Sequence, residues 1–368
     1  MKKSIKIFAA AACITALLFQ LAAFGSAKTI YGDANGDGAI SAEDARIALR
    51  VSVGLDEAGD NFERIDVDAD HEISSADARL ILRFAVGLEK DFVADYYLEP
   101  PAEGKMLSVK LSAPRALFYC ADTNTVLYKK NANEETAPAS LLKLLTALTA
   151  LKFCKPEETF TVGKEIDLIA WDSSRCHIKK GWTMTLEELL YGMMLPSGND
   201  AAYCVAANVA RKMTGEKNPE AAVAWFVGEM NETAWKFGME HTLAKTPDGY
   251  DEKGQCTTAG DLLLLARAAL KNDVLVKICA CPHYVLKKET TLEWDTTNHF
   301  LRPEKYYYND HVYGLKGGFT DDAGYCLIAA CEVDGQNYIA IVMGLKSFGE
   351  RHQCVTDLMD AVAQKSTD

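Results

Sequence analysis

The sequence predicts an α+β fold, an antiparallel sheet flanked by helices with an all-helical insertion, preceded by a small all-α module. Three observations support this prediction. Short apolar runs separated by turn signals lie near residue 120 and again beyond residue 310, as expected for strands of one sheet. The segment between them contains several stretches of helical periodicity. Near the N-terminus, one segment repeats itself with a constant offset of 33 residues.

The composition is that of an ordinary folded protein. Of the 368 residues, 49% are hydrophobic and 25% are charged, and the length is sufficient for two domains. Acidic residues outnumber basic ones by 52 to 39, which gives a net charge of −13. Because contacts to phosphate need clustered Lys and Arg side chains, this balance argues against nucleic acid as a partner.

Residues 1–27 have the pattern of a secretory signal peptide. Basic residues precede an apolar stretch over Ile7–Phe24, and small residues follow up to Ala27. An uncleaved anchor is the second interpretation, and a lipoprotein signal at Cys13 is a third, less favoured one. We expect a secreted, extracellular protein whose mature chain has no transmembrane anchor.

Ten of the 11 cysteines remain after removal of this segment, all of them between Cys120 and Cys354. An even number of cysteines in a secreted chain is typical of disulfides. However, Cys204, Cys326 and Cys331 lie within apolar runs, where a free thiol packs like a small core residue. We favour free structural thiols, and a disulfide framework stays open as the alternative.

The internal repeat consists of Asp33–Leu55 and Asp66–Leu88. Each copy opens with a twelve-residue loop that carries side-chain oxygens at positions 1, 3, 5, 9 and 12 and offers a backbone carbonyl at position 7, the pattern of a calcium-binding loop. The loops therefore predict two structural Ca²⁺ sites. The predicted ligands are Asp33, Asn35, Asp37, Ala39, Ser41 and Asp44 in the first loop, and Asp66, Asp68, Asp70, Glu72, Ser74 and Asp77 in the second.

The two loops differ at position 6, where the chain must turn sharply. This position is Gly38 in the first loop and His71 in the second, which predicts a strained or weaker second site. One apolar helix follows each loop, over Ala42–Gly54 and Ala76–Gly87. A solvated acidic loop is the alternative, and the duplication argues against it.

Two units of a calcium loop followed by one helix resemble the dockerin module of cellulosomal proteins, over about residues 29–90. The resemblance implies that calcium orders the helices and that a helix face docks onto a cohesin module of a scaffold protein. In that family the contacts usually come from loop positions 10 and 11, here Ala42–Glu43 and Ser75–Ala76. Because the two copies differ there, the cohesin class and the number of docking orientations stay open.

The boundaries follow from these patterns. We assign residues 28–90 to the dockerin-like module, residues 91–110 to a linker that contains Pro100–Pro101, and residues 111–368 to a catalytic domain. In the last part, Ala116–Ala121 and Val126–Lys129 predict two strands. Tyr325–Val333 and Gln336–Gly344 flank an Asp-Gly pair, which is a strong hairpin signal.

Three short motifs follow one another in this domain. Ser140–Lys143 is S-x-x-K, Ser197–Asn199 is S-x-N, and Lys316–Gly318 stands where K-T-G would be. The second motif begins 57 residues after the first, and the third begins 119 residues after the second. Each motif alone is weak evidence, but their order and their contexts agree.

The first motif has a physical rationale of its own. From Ser140 to Leu151 the chain is apolar except for a polar residue at every third position, and a helix that is apolar nearly all round is buried. Ser140 and Lys143 then share one turn, and desolvation lowers the pKa of the lysine so that it can accept a proton. A lysine that reaches out to solvent is the alternative, which the flanking leucines disfavour.

The second motif follows a helix with its own start signal. Thr185 and Glu188 fit a capping box, and Pro196 helps to end the helix. Ser197 and Asn199 therefore fall in a short loop from which both can point into a cleft. A plain Ser-Gly-Asn turn is the alternative for this motif in isolation.

With these motifs the sequence resembles the serine D-alanyl-D-alanine carboxypeptidases, the low-molecular-mass penicillin-binding proteins, over about residues 111–362. The resemblance implies that peptidoglycan stem peptides are the substrate, that β-lactams inhibit, and that catalysis needs no cofactor. It implies that Ser140 forms the acyl-enzyme, Lys143 is the base, Ser197 relays the proton to the leaving D-alanine, and Asn199 holds the substrate amide. The implied substrate-binding residues are Lys316, Gly317, Gly318, Phe319, Thr320 and Arg351, with the N–H groups of Ser140 and Phe319 as oxyanion hole.

One position departs from the family pattern. Gly317 replaces the Thr or Ser of the third motif, so a hydroxyl that would bind the terminal carboxylate is missing. The loss of a hydrogen bond to a charged group costs about 1.5–3 kcal/mol, which predicts weaker substrate binding, with Thr320 as a candidate for compensation. For Arg351, a solvated surface arginine is the alternative.

Two other functions compete with the carboxypeptidase. A β-lactamase is disfavoured because no E-x-x-x-N segment clearly places a deacylating water between the second and third motifs. A non-catalytic, scaffold-bound cell-wall binder is disfavoured because Ser140, Lys143, Ser197 and Asn199 are all present.

Overall fold

A computed structural model describes residues 30–88, 91–94 and 98–365. Contacts divide the chain into two compact units, residues 1–95 and 96–368. The predicted signal peptide lies outside the described residues. In the part of the chain that the structure describes, no helix is both long and apolar enough to cross a membrane.

The first unit is all-helical. Its two main helices pack against each other, and a serine caps each of them through a reciprocal capping box, Ser41 with Asp44 and Ser74 with Asp77. The buried side chains of Ala48, Ile65 and Ile81 contribute to one small core. The helices of this unit are α1 (Ala42–Ser52), α2 (Phe62–Ile65) and α3 (Ser75–Ala85), with a 3-10 turn at Gly59–Asn61.

The second unit contains a six-stranded sheet. Its strands are β1 (Ala102–Glu103), β2 (Arg115–Cys120), β3 (Thr125–Lys130), β8 (Val312–Thr320), β9 (Gly324–Val333) and β10 (Gln336–Leu345). Their order in the sheet is β1-β3-β2-β10-β9-β8. All neighbours pair antiparallel except β1 and β3. The hairpin between β9 and β10 turns at Asp334 and Gly335, whose φ values of 51° and 75° match the turn that an Asp-Gly pair favours.

The sheet begins earlier in the chain than the sequence predicts. Ala102–Glu103, assigned to the linker from its prolines and mixed polarity, pairs with Thr125–Val126. The N–H of Leu107 donates to the carbonyl of Leu127, and the Leu107 side chain is buried in the core. A two-residue exposed strand has no hydrophobic pattern of its own, so only its pairing reveals it.

Helices fill the segment between β3 and β8, as predicted, but the insertion also contains two small antiparallel hairpins. The helices of this unit are α4 (Lys143–Phe153), α5 (Leu186–Met194), α6 (Asn199–Thr214), α7 (Pro219–Lys236), α8 (Ala259–Leu270), α9 (Asp273–Cys279) and α10 (Phe348–Lys365). The hairpins pair β4 (Thr159–Thr161) with β5 (Thr183–Thr185) and β6 (His283–Lys287) with β7 (Thr291–Asp295). Single 3-10 turns lie at Ala139–Leu142, Lys164–Asp167 and His299–Leu301.

Both faces of the sheet are buried. Successive residues of β9 alternate between two cores: Ile328 and Ala330 pack with the helical insertion, whereas Leu327 and Ala329 pack with α10. A strand that is covered on both faces has a nearly continuous apolar sequence. The sequence of β9 is of this kind. The α+β architecture predicted from the sequence is confirmed.

The cysteines of the second unit are part of these cores. All ten described cysteines are free, and eight of them are buried. The preference for structural thiols over disulfides is therefore confirmed for the described residues.

Candidate functional site

The first motif lies where a 3-10 turn becomes a helix. Ser140 belongs to the turn Ala139–Leu142, and Lys143 is the first residue of α4. Lys143 is completely buried, and its Nζ lies 2.7 Å from Ser140 Oγ, 2.8 Å from Asn199 Oδ1 and 2.8 Å from the carbonyl oxygen of Asp248. The serine is therefore one of three partners of a single buried amine.

The chemical nature of these three partners favours the neutral form of the Lys143 amine. The oxygens of Asn199 and Asp248 are carbonyl oxygens, which can only accept hydrogen bonds, whereas the hydroxyl of Ser140 can also donate. A neutral amine can donate two N–H groups to the carbonyls and direct its lone pair at Ser140. Burial lowers the pKa of Lys143 to about 8, against the opposing effect of the Asp248 and Asp200 carboxylates.

The second motif connects α5 to α6 through a tight loop. Ser197 has a left-handed φ of 64°, and a Cβ at Gly198 would lie 2.8 Å from both Asp200 Oδ1 and Cys176 Sγ. Only glycine fits there without a shift of neighbours. The amide of Asn199 is held at both ends, because its Nδ2 donates to Ser173 Oγ at 3.0 Å while its Oδ1 accepts from Lys143.

The third motif lies within β8, which is an edge strand of the sheet. Lys316 is buried, and its Nζ donates to Ser197 Oγ at 3.0 Å and to the carbonyl of Gly317 at 2.9 Å. Burial, followed by repulsion from Lys143, holds the pKa of Lys316 well below its usual value. A Cβ at Gly318 would lie 3.0 Å from the backbone nitrogen of Ser140, so this glycine allows the strand to approach the nucleophile.

The three motifs meet at a cavity of about 170 Å³. Of the predicted residues, Ser140, Asn199, Phe319 and Thr320 line it, while Lys143, Ser197 and Lys316 are buried behind its wall. Its full lining is Ser140, Asp172, Ser173, Ser174, Asn199, Tyr250, Asp251, Phe319, Thr320 and Asp321.

Arg351 is not a solvated surface residue. Its side chain is buried beside the third motif, where Nη1 donates weakly to the carbonyls of Gly318 and Cys326 and Nη2 donates to that of Thr297. Desolvation lowers the pKa of the guanidinium to about 10, and its Nε has no hydrogen-bond partner among the described residues. Because no described carboxylate pairs with it, this buried cation is suited to receive an anion.

Several residues of the site were not predicted individually from the sequence. The carbonyl of Asp248 holds Lys143 from a loop 105 residues further along the chain. Ser173 orients Asn199, and Asp172 accepts a hydrogen bond from Tyr250 at 2.8 Å. These residues lie on ordinary loops far from the motifs in sequence, where no local pattern distinguishes them.

The first calcium-type loop is organised around two buried carboxylates. Asp33 accepts hydrogen bonds from the backbone N–H groups of Asp37 and Gly38, and Asp44 accepts from those of Asn35 and Ser41. Asp33 is 1% exposed, and Asp44 is fully buried. Arg64 Nη1 approaches Asp33 Oδ2 only to 3.5 Å, and carboxylates buried in this way are costly unless a cation compensates their charge.

The second loop has the sharper indication of a cation. Carboxylate oxygens of Asp66, Asp68 and Asp70 lie within 4.8 Å of one another. Desolvation and the neighbouring carboxylates raise the pKa of Asp68 to about 6, and its buried Oδ1 has no hydrogen-bond partner in the part of the chain that the structure describes. Hard oxygen donors around an unsatisfied buried oxygen fit Ca²⁺. His71 has a φ of 66°, so the turn expected to favour glycine is indeed left-handed.

Comparison with known proteins agrees with both halves of this description. The D-alanyl-D-alanine carboxypeptidase family matches residues 102–347, and the dockerin type I domain matches residues 31–84. The chain is 32% identical over 251 residues to D-alanyl-D-alanine carboxypeptidase DacF of Bacillus subtilis, covering 67% of this chain and 61% of that protein. It is 30% identical over 249 residues to the D-alanyl-D-alanine carboxypeptidase of Streptomyces sp. strain K15, covering 65% of this chain and 82% of the relative.

Solved structures give the same result. The Streptomyces K15 DD-transpeptidase superposes with a TM-score of 0.63 at 28% identity, over 69% of this chain and 97% of that one. The ampicillin-bound penicillin-binding protein D2 of Listeria monocytogenes superposes with a TM-score of 0.56 at 26% identity, over 69% and 98%. The chain belongs to the D-alanyl-D-alanine carboxypeptidase family and carries a type I dockerin domain in its N-terminal part.

Proposed function

We propose that this protein is a serine-type D-Ala-D-Ala carboxypeptidase that removes the terminal D-alanine of peptidoglycan stem peptides through an acyl-enzyme. The dockerin domain tethers it to a cohesin-bearing scaffold outside the cell. The observation that carries the enzymatic proposal is the 2.7 Å contact between Ser140 Oγ and the fully buried Nζ of Lys143.

The proposed acylation begins with proton transfer. Neutral Lys143 accepts the hydroxyl proton of Ser140 as Oγ attacks the carbonyl carbon of the penultimate D-alanine. The N–H groups of Ser140 and Phe319 are the proposed oxyanion hole, which stabilises the negative charge on the carbonyl oxygen. The proximity of β8 to the Ser140 turn supports this pairing.

Collapse of the tetrahedral intermediate breaks the peptide bond. Ser197 passes the proton that Lys143 took from Ser140 on to the leaving amine of D-alanine, and Lys316, 3.0 Å from Ser197 Oγ, orients that hydroxyl. Lys316 and Arg351 provide the positive charge that attracts the terminal carboxylate, and Asn199 holds the substrate amide. A water molecule then attacks the ester carbonyl carbon and gives one proton to Lys143, which passes it to Ser140 Oγ as the ester bond breaks and the shortened stem peptide leaves.

Covalent labelling tests the enzymatic proposal. We expect a fluorescent penicillin to label the wild-type protein and to leave the Ser140→Ala variant unlabelled. We also expect release of D-alanine from a D-Ala-D-Ala peptide and a long-lived β-lactam adduct. Fast turnover of nitrocefin would favour the β-lactamase instead, and absence of any acylation would favour a non-catalytic wall-binding component.

Duplicated apolar side chains support the tethering proposal. Exposed hydrophobic residues recur at equivalent positions of the two repeats with similar exposure: Leu49 and Leu82 (48% and 44%), Val53 and Val86 (62% and 62%), and Leu55 and Leu88 (65% and 65%). Apolar side chains exposed in this way are typical of interaction surfaces. Their repetition is expected of a surface that binds a partner protein, here the cohesin module.

Calcium removal tests the tether separately from the enzyme. In the proposal, Ca²⁺ held by the two loops neutralises the buried carboxylates and orders α1 and α3. Calorimetry of the full chain in excess EDTA should therefore show loss of the unfolding transition of the first unit. An unchanged transition would contradict the calcium-dependent module without affecting the carboxypeptidase.

A further inference from the structure

Three carboxylates line the cavity at Ser140. Among the residues that line it are Asp172, Asp251 and Asp321, and its lining contains no Lys or Arg. Because the proposed substrate must enter this cavity to reach Ser140, these carboxylates face the part of the substrate that lies there.

The three carboxylates retain capacity for a cation. Asp172 Oδ1 accepts from the hydroxyl of Tyr250, and Asp251 Oδ2 accepts from the N–H of Asp322. Asp251 Oδ1 is buried and has no hydrogen-bond partner within the described residues. Among those residues, none of the three carboxylates takes part in an ion pair. Their negative charge is therefore available to a ligand.

Two basic side chains are buried behind the wall of this cavity. Lys316 and Arg351 lie beside Gly317 on β8, whereas Asp321 directly follows the last residue of that strand, Thr320. Four residue steps of extended strand, or about 13 Å, separate Lys316 from Thr320, and Asp321 is the next residue. A peptide that lies along β8 with its terminal carboxylate near Lys316 has its upstream residues near Asp321.

We propose that Asp172, Asp251 and Asp321 form a subsite for a cationic side chain of the acyl-donor peptide. The inference rests on the proposed carboxypeptidase function and specifies its substrate class. The preferred substrates carry a free side-chain ammonium on the residue that precedes D-Ala-D-Ala. Peptides in which this amine is acylated, as in a cross-link, are disfavoured because they bring no positive charge to the three carboxylates.

Two matched peptides test the inference. Nα-acetyl-L-Lys-D-Ala-D-Ala has a free side-chain amine, and Nα,Nε-diacetyl-L-Lys-D-Ala-D-Ala does not. We expect the wild-type protein to hydrolyse the first with a kcat/KM about two- to fivefold higher, the range expected of one exposed ion pair. The ratio between the peptides should decrease as NaCl is raised, because salt screens exposed charges.

Variants assign the preference to the named carboxylates. Asp321→Asn and Asp172→Asn should each reduce the ratio between the two peptides, and the double variant should bring it close to one. Asp310→Asn, which removes an exposed carboxylate outside the cavity lining, is the matched control and should keep the wild-type ratio. The comparison of two peptides on one variant is insensitive to partial loss of folded protein.

The outcomes separate the two proposals. Equal hydrolysis of both peptides by the wild-type protein would overturn the acidic subsite and leave the carboxypeptidase intact. A wild-type preference that survives the double variant would overturn the assignment to these residues. Failure to hydrolyse either peptide, together with failure to react with penicillin, would overturn the proposed function and the subsite with it.

Discussion

The guanidinium of Arg351 lies against Gly317, so that a Cβ added to this glycine would be 3.1 Å from Arg351 Nη1. The sequence predicts that the hydroxyl missing at Gly317 weakens substrate binding. The structure adds that a buried cation fills part of the space that a threonine would need. The glycine and the arginine are therefore expected to be energetically coupled.

We expect Gly317→Thr to lower kcat/KM on a D-Ala-D-Ala peptide, because the new side chain displaces the Arg351 guanidinium. The same substitution should cost less in an Arg351→Met background. A double-mutant cycle should give a coupling of about 1 kcal/mol between the two positions. Additive effects, or a gain in activity from Gly317→Thr alone, would show that the guanidinium does not compete for this space.

Acylation should depend on pH through Lys143. Its pKa is lowered to about 8, and the form that accepts the proton of Ser140 is the neutral one, which predominates above that pKa. The rate of acylation by a β-lactam should therefore rise by about tenfold per pH unit below pH 7 and level off above pH 8. Lys143→Arg should abolish acylation at every pH, because a guanidinium stays charged. A rate that falls as pH rises through 8 would contradict the assignment of Lys143 as base.

The second calcium loop should become more stable when its left-handed residues are replaced by glycine. The first loop has Gly36 and Gly38 at positions where the second has Ala69 and His71, and all four have positive φ values between 58° and 89°. We expect His71→Gly to increase calcium affinity and to stabilise the calcium-bound first unit by about 1 kcal/mol, measured by titration and scanning calorimetry.

The reciprocal change is the control for this prediction. Gly38→His places a side chain at a left-handed position where no heavy atom lies within 4 Å of the added Cβ, so any loss comes from the backbone and not from a clash. It should weaken the first loop by a similar amount. Equal calcium affinity of wild type and His71→Gly would show that the turn carries no strain.

The duplicated apolar surface should give two equivalent docking modes. Leu49→Asp with Val53→Asp alters one repeat, and Leu82→Asp with Val86→Asp alters the other. Each pair alone should leave binding to a cohesin that recognises the wild-type chain nearly unchanged, whereas all four together should abolish it. If one pair alone abolishes binding, docking has a single orientation, set by the loop positions at which Ala42–Glu43 differs from Ser75–Ala76. Titration calorimetry in calcium measures these affinities.

Local pattern was sufficient for much of this molecule. The two strand-like segments on either side of the Asp-Gly pair predict a hairpin whose bounds agree closely with the structure. The leucine-rich segment after Ser140 predicts burial of Lys143, which is complete. The 33-residue repeat predicts two loops and two helices, because each copy carries its own capping serine and its own core residues.

Residues far apart in the chain could be brought together only by packing. Asp248 reaches Lys143 across 105 residues, and Lys316 reaches Ser197 across 119, through contacts that no local periodicity encodes. The short strand Ala102–Glu103 exists because Thr125–Val126 offers it an edge to pair with. The sequence thus specifies which side chains can do chemistry, since that depends on residue type and local spacing. Long-range contacts between the helical insertion and the sheet determine the rest. They create the common cavity, bring its three carboxylates together and place Arg351 beside Gly317.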